Sequence, residues 1–189
     1  MSWRLFARNN AIERFRHGER PWALVTGASD GIGKALAHSL ADRGFNVLLH
    51  GRNSAKLDQV REELLLAYPT REFDIIVADA TQPALVSKVA EAVVGKRVTV
   101  VINNVGDVGG PVQLVTNATA EDIEKCINLG VSWLPRLTRV LLPHLITNQP
   151  SLIINIGSLV AEHPAPYLAI YSAANAYTQA FTHALAVEN

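Results

Sequence analysis

The chain has 189 residues, 49% of them hydrophobic, with 17 lysines and arginines set against 17 aspartates and glutamates. That length suffices for one domain with a sizeable core. The balanced charge gives no electrostatic case for nucleic acid or an anionic membrane surface as partner.

The first twenty residues are basic and amphipathic, but Glu13, Glu19 and the lack of an apolar centre separate them from a targeting peptide. The expectation is a solvated N-terminal arm or helix over 1–20, followed by a single domain over 21–189. Trp22–Thr26 reads as a buried strand, and a glycine-rich turn follows it. Asp30–Arg43 has helical spacing, with Ile32, Leu36, Ala37 and Leu40 on one face, and Gly44 ends it. Phe45–His50 is a second strand. Ser54–Tyr68 is a helix with Ser54 as its N-cap and Pro69 beyond its end. Phe73–Ala78 is a third strand, and Pro83–Val94 a helix opened by proline and closed by Gly95. Val98–Ile102, wholly apolar or β-branched, is a fourth strand. Gly106–Asn117 is a loop. Thr119–Ile146 is a long helix that Pro135 and Pro143 should kink. Leu152–Ile156 is a fifth strand and Leu168–Val187 a final helix.

Strands that look buried on both faces, each followed by a helical stretch, indicate an α/β chain with a parallel sheet covered on both sides through right-handed crossovers. There is no internal repeat. The single cysteine, Cys126, forms no internal disulfide and fits a reducing, cytoplasmic setting. No apolar run approaches the roughly 18 residues of a membrane-spanning helix.

Thr26-Gly27-Ala28-Ser29-Asp30-Gly31-Ile32-Gly33 occupies the first strand-to-helix turn. Glycines there let the backbone turn tightly and approach a pyrophosphate, while the helix behind them offers free N–H groups and a positive dipole end. Placed between a clear strand and a clear helix, such a run is far more specific than a lone glycine triplet.

The spacing is Gly-x-x-x-Gly-x-Gly. With Asn103-Asn104-Val105-Gly106 after the fourth strand, Ser158, and Tyr171 thirteen residues later, residues 20–189 closely resemble the short-chain dehydrogenase/reductase family. Pro21–Lys34 and Gly44-Phe45-Asn46-Val47 are most similar to its 17β-hydroxysteroid dehydrogenase and very-long-chain 3-oxoacyl-CoA reductase branch. The resemblance implies a Rossmann-like, doubly wound sheet of about five strands in the order 3-2-1-4-5, without the family's last two strands. It also implies dinucleotide contacts from Gly27, Ser29, Asp30, Gly31, Ile32, Gly33, Arg52, Asn53, Asp79, Asn103 and Asn175.

An acidic residue at the end of the second strand would hold both ribose hydroxyls of NAD. This chain has His50-Gly51-Arg52-Asn53 there. Arg52 can pair with a 2′-phosphate, so NADP(H) is the expected dinucleotide. Asp79 matches the family residue that binds the adenine amino group, and it reads equally well as an acid near the N-terminus of the next helix. By resemblance Asn103 supports the central strand and lines the adenosine ribose, whereas Asn104 is structural.

By the same resemblance the catalytic positions fall on Tyr171 as proton donor, Ser158 as carbonyl partner and Asn128 as part of a water-linked relay. The family's lysine, which holds the nicotinamide ribose and activates the tyrosine, falls on Asn175. A phenol in water titrates near about pH 10 and a neighbouring ammonium favours its ionised form, but asparagine carries no charge. Lys125 is the last lysine of the chain, so no other takes over in sequence. Tyr167, four residues before Tyr171, would share its helix face, facing substrate or packing beside Pro164 and Pro166.

The family continues beyond residue 189 with a sixth strand, a nicotinamide-holding loop, a substrate lid and a seventh strand. Their absence would leave Leu152–Ile156 as an apolar sheet edge that invites pairing, and by resemblance the long helix and the tyrosine helix form the family's usual dimer surface, so a homodimer is expected. Three readings stay open: an NADP(H)-dependent oxidoreductase of carbonyl compounds, a redox-silent derivative using Tyr171 and Ser158 for proton transfer (isomerase, dehydratase or cyclase), and a non-catalytic dimerising scaffold. A fragment of a longer chain is a further possibility.

Overall fold

The structure, a computed structural model, describes residues 12–188, so most of the expected N-terminal arm lies outside the described residues. Five parallel strands, β1 (Pro21–Thr26), β2 (Asn46–Gly51), β3 (Phe73–Val77), β4 (Arg97–Asn103) and β5 (Leu152–Asn155), form one sheet in the order β3-β2-β1-β4-β5. Residues in β1 and β2 are buried throughout, which is why these segments read as continuous apolar runs without alternation. Side chains still alternate between layers. Ala23 and Val25 face a core built with Leu40, Phe45, Leu57 and Leu64. Trp22 and Leu24 face a second core with Leu85, Val89, Trp133, Leu137, Leu141 and Leu145. Burying each such large aliphatic or aromatic side chain stabilises the fold by about 1.5–3 kcal/mol.

Helices α1 (Gly31–Asp42) and α2 (Ser54–Ala67) cover the first core, and α3 (Ala84–Ala92) and α5 (Trp133–Thr147) the second. Helices α4 (Ala120–Ile127) and α6 (Ala169–Glu188) complete the chain. Among the described residues no helix is long and apolar enough to cross a membrane.

Three expectations need correction. Residues 12–20 are mostly exposed but tied to the domain: Phe15 is buried in the first core, and its carbonyl accepts a hydrogen bond from Thr99 Oγ1 at 2.7 Å. An apolar residue that reaches a core outweighs the basic character of its neighbours. The N-cap of α2 is Asn53, not Ser54, because the Asn53 side chain accepts from the Lys56 N–H at 3.0 Å. Asparagine caps as well as serine does, and Ser54 becomes the first helical residue.

The long helix is not one rod kinked at two prolines. A π-helical turn over Asn128–Ser132 separates α4 from α5. Pro135 then follows closely on the π-helical turn, and Pro143 stays inside the helix. The indole N–H of Trp133 donates to the Leu129 carbonyl at 2.6 Å, satisfying a backbone group of that turn.

Candidate functional site

The C-terminal ends of β1, β2 and β4 converge on the glycine turn. Thr26 Oγ1 accepts from the backbone N–H groups of Asn104 and Val105 at 2.9 and 3.2 Å, and Asn104 Nδ2 donates back to the Thr26 carbonyl at 3.1 Å. This clasp ties the turn after β1 to the end of β4. Gly33 lets α1 close onto it: a Cβ there would overlap the Gly27 carbonyl oxygen and lie 2.6 Å from Asn104 Nδ2. Gly27 has a φ of +66°, in the left-handed region that favours glycine. Asp30 caps α1, its Oδ1 accepting from the Gly31 N–H at 2.8 Å.

A cavity of about 360 Å³ opens above this turn, lined by Gly27, Ser29, Asp30, Gly31, His50, Arg52, Asp79 and Asn104 among others. Of the expected dinucleotide contacts, six lie on it: Gly27, Ser29, Asp30, Gly31, Arg52 and Asp79. Gly33 packs behind it and Asn53 caps α2, while Ile32, Asn103 and Asn175 line a neighbouring cavity instead. Asp79 Oδ1 accepts from both the N–H and the hydroxyl of Thr81 at 2.8 Å. These bonds, led by the backbone one, hold its carboxyl below the usual range. His50 is a cavity residue that the sequence did not single out. It is buried, with Nε2–H donating to the Ala78 carbonyl at 3.1 Å, and burial pushes its pKa down to about 4. A histidine ending an otherwise apolar strand was the available signal.

The second cavity, about 180 Å³, is lined by Ile32, Asn103, Leu129, Gly130, Asn155, Gly157, Tyr171, Ala174, Asn175 and Thr178, and it shares Asn104, Val105, Gly106, Asp107 and Leu129 with the first. The two form one cleft from the glycine turn to Tyr171. A polar chain crosses its floor: Asn103 Nδ2 donates to Asn155 Oδ1 at 2.8 Å, and Asn155 Nδ2 donates to Thr182 Oγ1 at 2.8 Å. Asn103 Oδ1 is buried with no protein partner, an acceptor that calls for a donor from water or ligand. Asn155 was missed in the sequence, although it ends an apolar strand in register with Asn103. The π-helical turn brings Gly130 against α6, so close that a Cβ on it would lie 2.5 Å from that of Ala174.

Tyr171 and Asn175 lie on α6 and both face this cavity. Ser158 and Asn128 do not line it. Ser158 Oγ accepts from the Val160 N–H at 3.4 Å and caps a short 3-10 turn, and Asn128 opens the π-helical turn. Tyr167 is not on the Tyr171 helix face. It occupies a reverse turn in which the Leu168 N–H donates to the Ala165 carbonyl, with Tyr167 at a φ of +67°. Pro166 favours that turn and delays the helix to Ala169. Tyr167 is exposed, and with Val108, Pro111, Val115 and Ile170 it lines a small pocket that also reaches Tyr171.

A doubly wound sheet, a glycine turn in which Gly33 admits no Cβ, and adjoining cavities from that turn to a helix-borne tyrosine define a dinucleotide-binding type of fold. The short chain dehydrogenase profile matches residues 21–189, and the chain belongs to that family. Among its relatives are the very-long-chain 3-oxoacyl-CoA reductase of Coprinopsis cinerea, 36% identical over 94% of this chain and 53% of the relative. The inactive hydroxysteroid dehydrogenase-like protein 1 of Homo sapiens is 35% identical over 98% of this chain and 55% of the relative. A short-chain dehydrogenase from Sphingobium yanoikuyae in complex with NADPH superposes with a TM-score of 0.82 at 31% identity, covering 89% of this chain and 65% of that one. The chain spans about half the length of the curated relatives it matches.

Proposed function

We propose that this chain binds NADP(H) across the β1–α1 turn and works on a carbonyl compound or secondary alcohol at Tyr171. The shared lining of the two cavities supports this reading, because the glycine turn and the Tyr171 phenol border adjoining space. The Gly33 packing and the unpartnered Asn103 Oδ1 fit an extended polar ligand there. Bound NADP(H) supplies or accepts the hydride. Gly27, Ser29 and Gly31 present backbone to the pyrophosphate, and Arg52 faces the 2′-phosphate. Asp79 and His50 border the adenosine side. Tyr171 holds the proton exchanged with the carbonyl oxygen, and the apolar lining of Val108, Val115 and Tyr167 beside it favours a substrate with an apolar body.

Asn175 favours a second reading, in which the tyrosine polarises a carbonyl or stabilises an enolate without hydride transfer. Calorimetric titration with NADPH tests the first reading, and no binding by about 1 mM removes it. Binding with turnover of a ketone panel, abolished by Tyr171→Phe, supports it; binding without turnover supports the second.

A homodimer belongs to the same proposal. Beside β5, Leu142, Leu145, Ile146, Leu152, Ile153 and Leu185 line an open groove that a second copy would cover. Light scattering that shows a monomer at micromolar concentration removes this part.

A further inference from the structure

We infer that the Asp30–Lys56 ion pair at the mouth of the nucleotide cavity sets how strongly this chain prefers a 2′-phosphorylated adenosine. The inference rests on the dinucleotide reading above and adds residues to it. Among its charged lining residues the cavity has three carboxylates, Asp30, Asp79 and Asp107, against one guanidinium, Arg52. A phosphate monoester carries close to two negative charges at neutral pH, so Arg52 alone leaves it facing an anionic wall.

Lys56 is the cation that redresses this. Its Nζ lies 3.0 Å from Asp30 Oδ2, and its backbone N–H is fixed by the Asn53 side chain, next to Arg52 in sequence. The other lysine close to Asp30, Lys34, is engaged by Glu63 at 2.6 Å. The pair is asymmetric. Asp30 is anchored, because its other oxygen caps α1, whereas Lys56 is held only at its tip and its side chain is 54% exposed. An exposed pair of this kind rearranges at little cost. An ammonium has three donors, so Lys56 can keep Asp30 and also take a phosphate oxygen. Lys56 thereby recruits the 2′-phosphate, and Asp30 opposes it.

Adenosine 2′,5′-bisphosphate and adenosine 5′-monophosphate differ only in the 2′-phosphate and need no nicotinamide site. Their calorimetric titration is the test. In Lys56→Gln the bisphosphate should weaken about tenfold, the scale of one charge-assisted hydrogen bond, while the monophosphate stays within about twofold. Lys56→Arg should restore the bisphosphate. Asp30→Asn, which keeps the helix cap, should tighten the bisphosphate about threefold, with an advantage that shrinks as salt rises. Equal weakening of both ligands in Lys56→Gln, or none, overturns the inference and leaves the dinucleotide reading standing. Failure of the unsubstituted protein to bind either compound overturns both.

Discussion

Asn175 Nδ2 donates to the carbonyl of Tyr171, one helical turn earlier, at 2.9 Å. The amide is thus engaged by its own helix, and its Oδ1 faces the Gly157 side of the cleft. This position gives Tyr171 no positive charge, and one of its two N–H donors is spent on the helix. Asn175→Lys supplies the charge, and the adjoining cavity of about 180 Å³ has room for the longer chain. We expect NADPH-dependent turnover of simple ketones to rise by about 10² in this variant, the lower end of what a positioned acid–base partner contributes, as followed by NADPH absorbance. An unchanged rate would place the limitation elsewhere in the cleft.

Gly33→Ala should damage both fold and cleft. Its Cβ would meet the Gly27 carbonyl oxygen and Asn104 Nδ2, and backbone cannot yield as a flexible side-chain tip does. A loss of about 1–3 kcal/mol is expected, read from urea denaturation, together with weaker NADPH binding. Gly95→Ala offers a control, because open space surrounds that glycine and the strain there comes only from its φ of +72°.

His50 makes stability depend on pH. Burial lowers its pKa from 6.5 to about 4, so from pH 6.5 down to about 4 the unfolded chain binds a proton that the folded one refuses. Stability therefore falls as pH drops through that window, and the contribution levels off below it. The full effect is at most about 3 kcal/mol. The lowered carboxyls Asp30, Glu63, Asp79 and Asp122 act in the same direction but further into acid. Denaturant midpoints between pH 4.5 and 6.5 should slope steeply in the natural sequence and flatten in His50→Leu.

Phe15→Ala should destabilise the protein by about 3 kcal/mol, as expected for emptying a buried aromatic site. Chemical denaturation checks this directly. A change under about 0.5 kcal/mol would mean that the N-terminal segment contributes nothing to the core.

Most of the sheet was legible because a strand buried on both faces announces itself as an apolar run, and glycine and proline mark where each helix stops. Features that depend on distant partners were not. Asn155 acquires meaning only from Asn103 and Thr182, which lie 52 and 27 residues away. Phe15 sits in a basic stretch whose charge gives no hint of the pocket that receives it. Ser54 and Asn53 are equally good caps, and only the side-chain geometry separates them. At the site, the glycine turn, Arg52 and Tyr171 carry signatures of residue type and spacing. The division of the cleft, with Ile32, Asn103 and Asn175 on the Tyr171 side, follows from how β4, β5 and α6 come together.

The π-helical turn has a consequence for which changes this chain tolerates. Cys126 and Leu129 are buried before and within it, and Leu134, Leu137, Leu141 and Leu145 after it, so the turn sets the phase between the inward faces of the two helices it joins. Each residue of an α-helix advances the face by about 100°. Removing one residue between Asn128 and Ser132 would straighten the rod and swing either Cys126 and Leu129, or the row Leu134, Leu137, Leu141 and Leu145, away from its core. Outside buried Leu129 and Gly130, where a Cβ would meet Ala174, substitutions in this turn will be absorbed more readily than a change in its length.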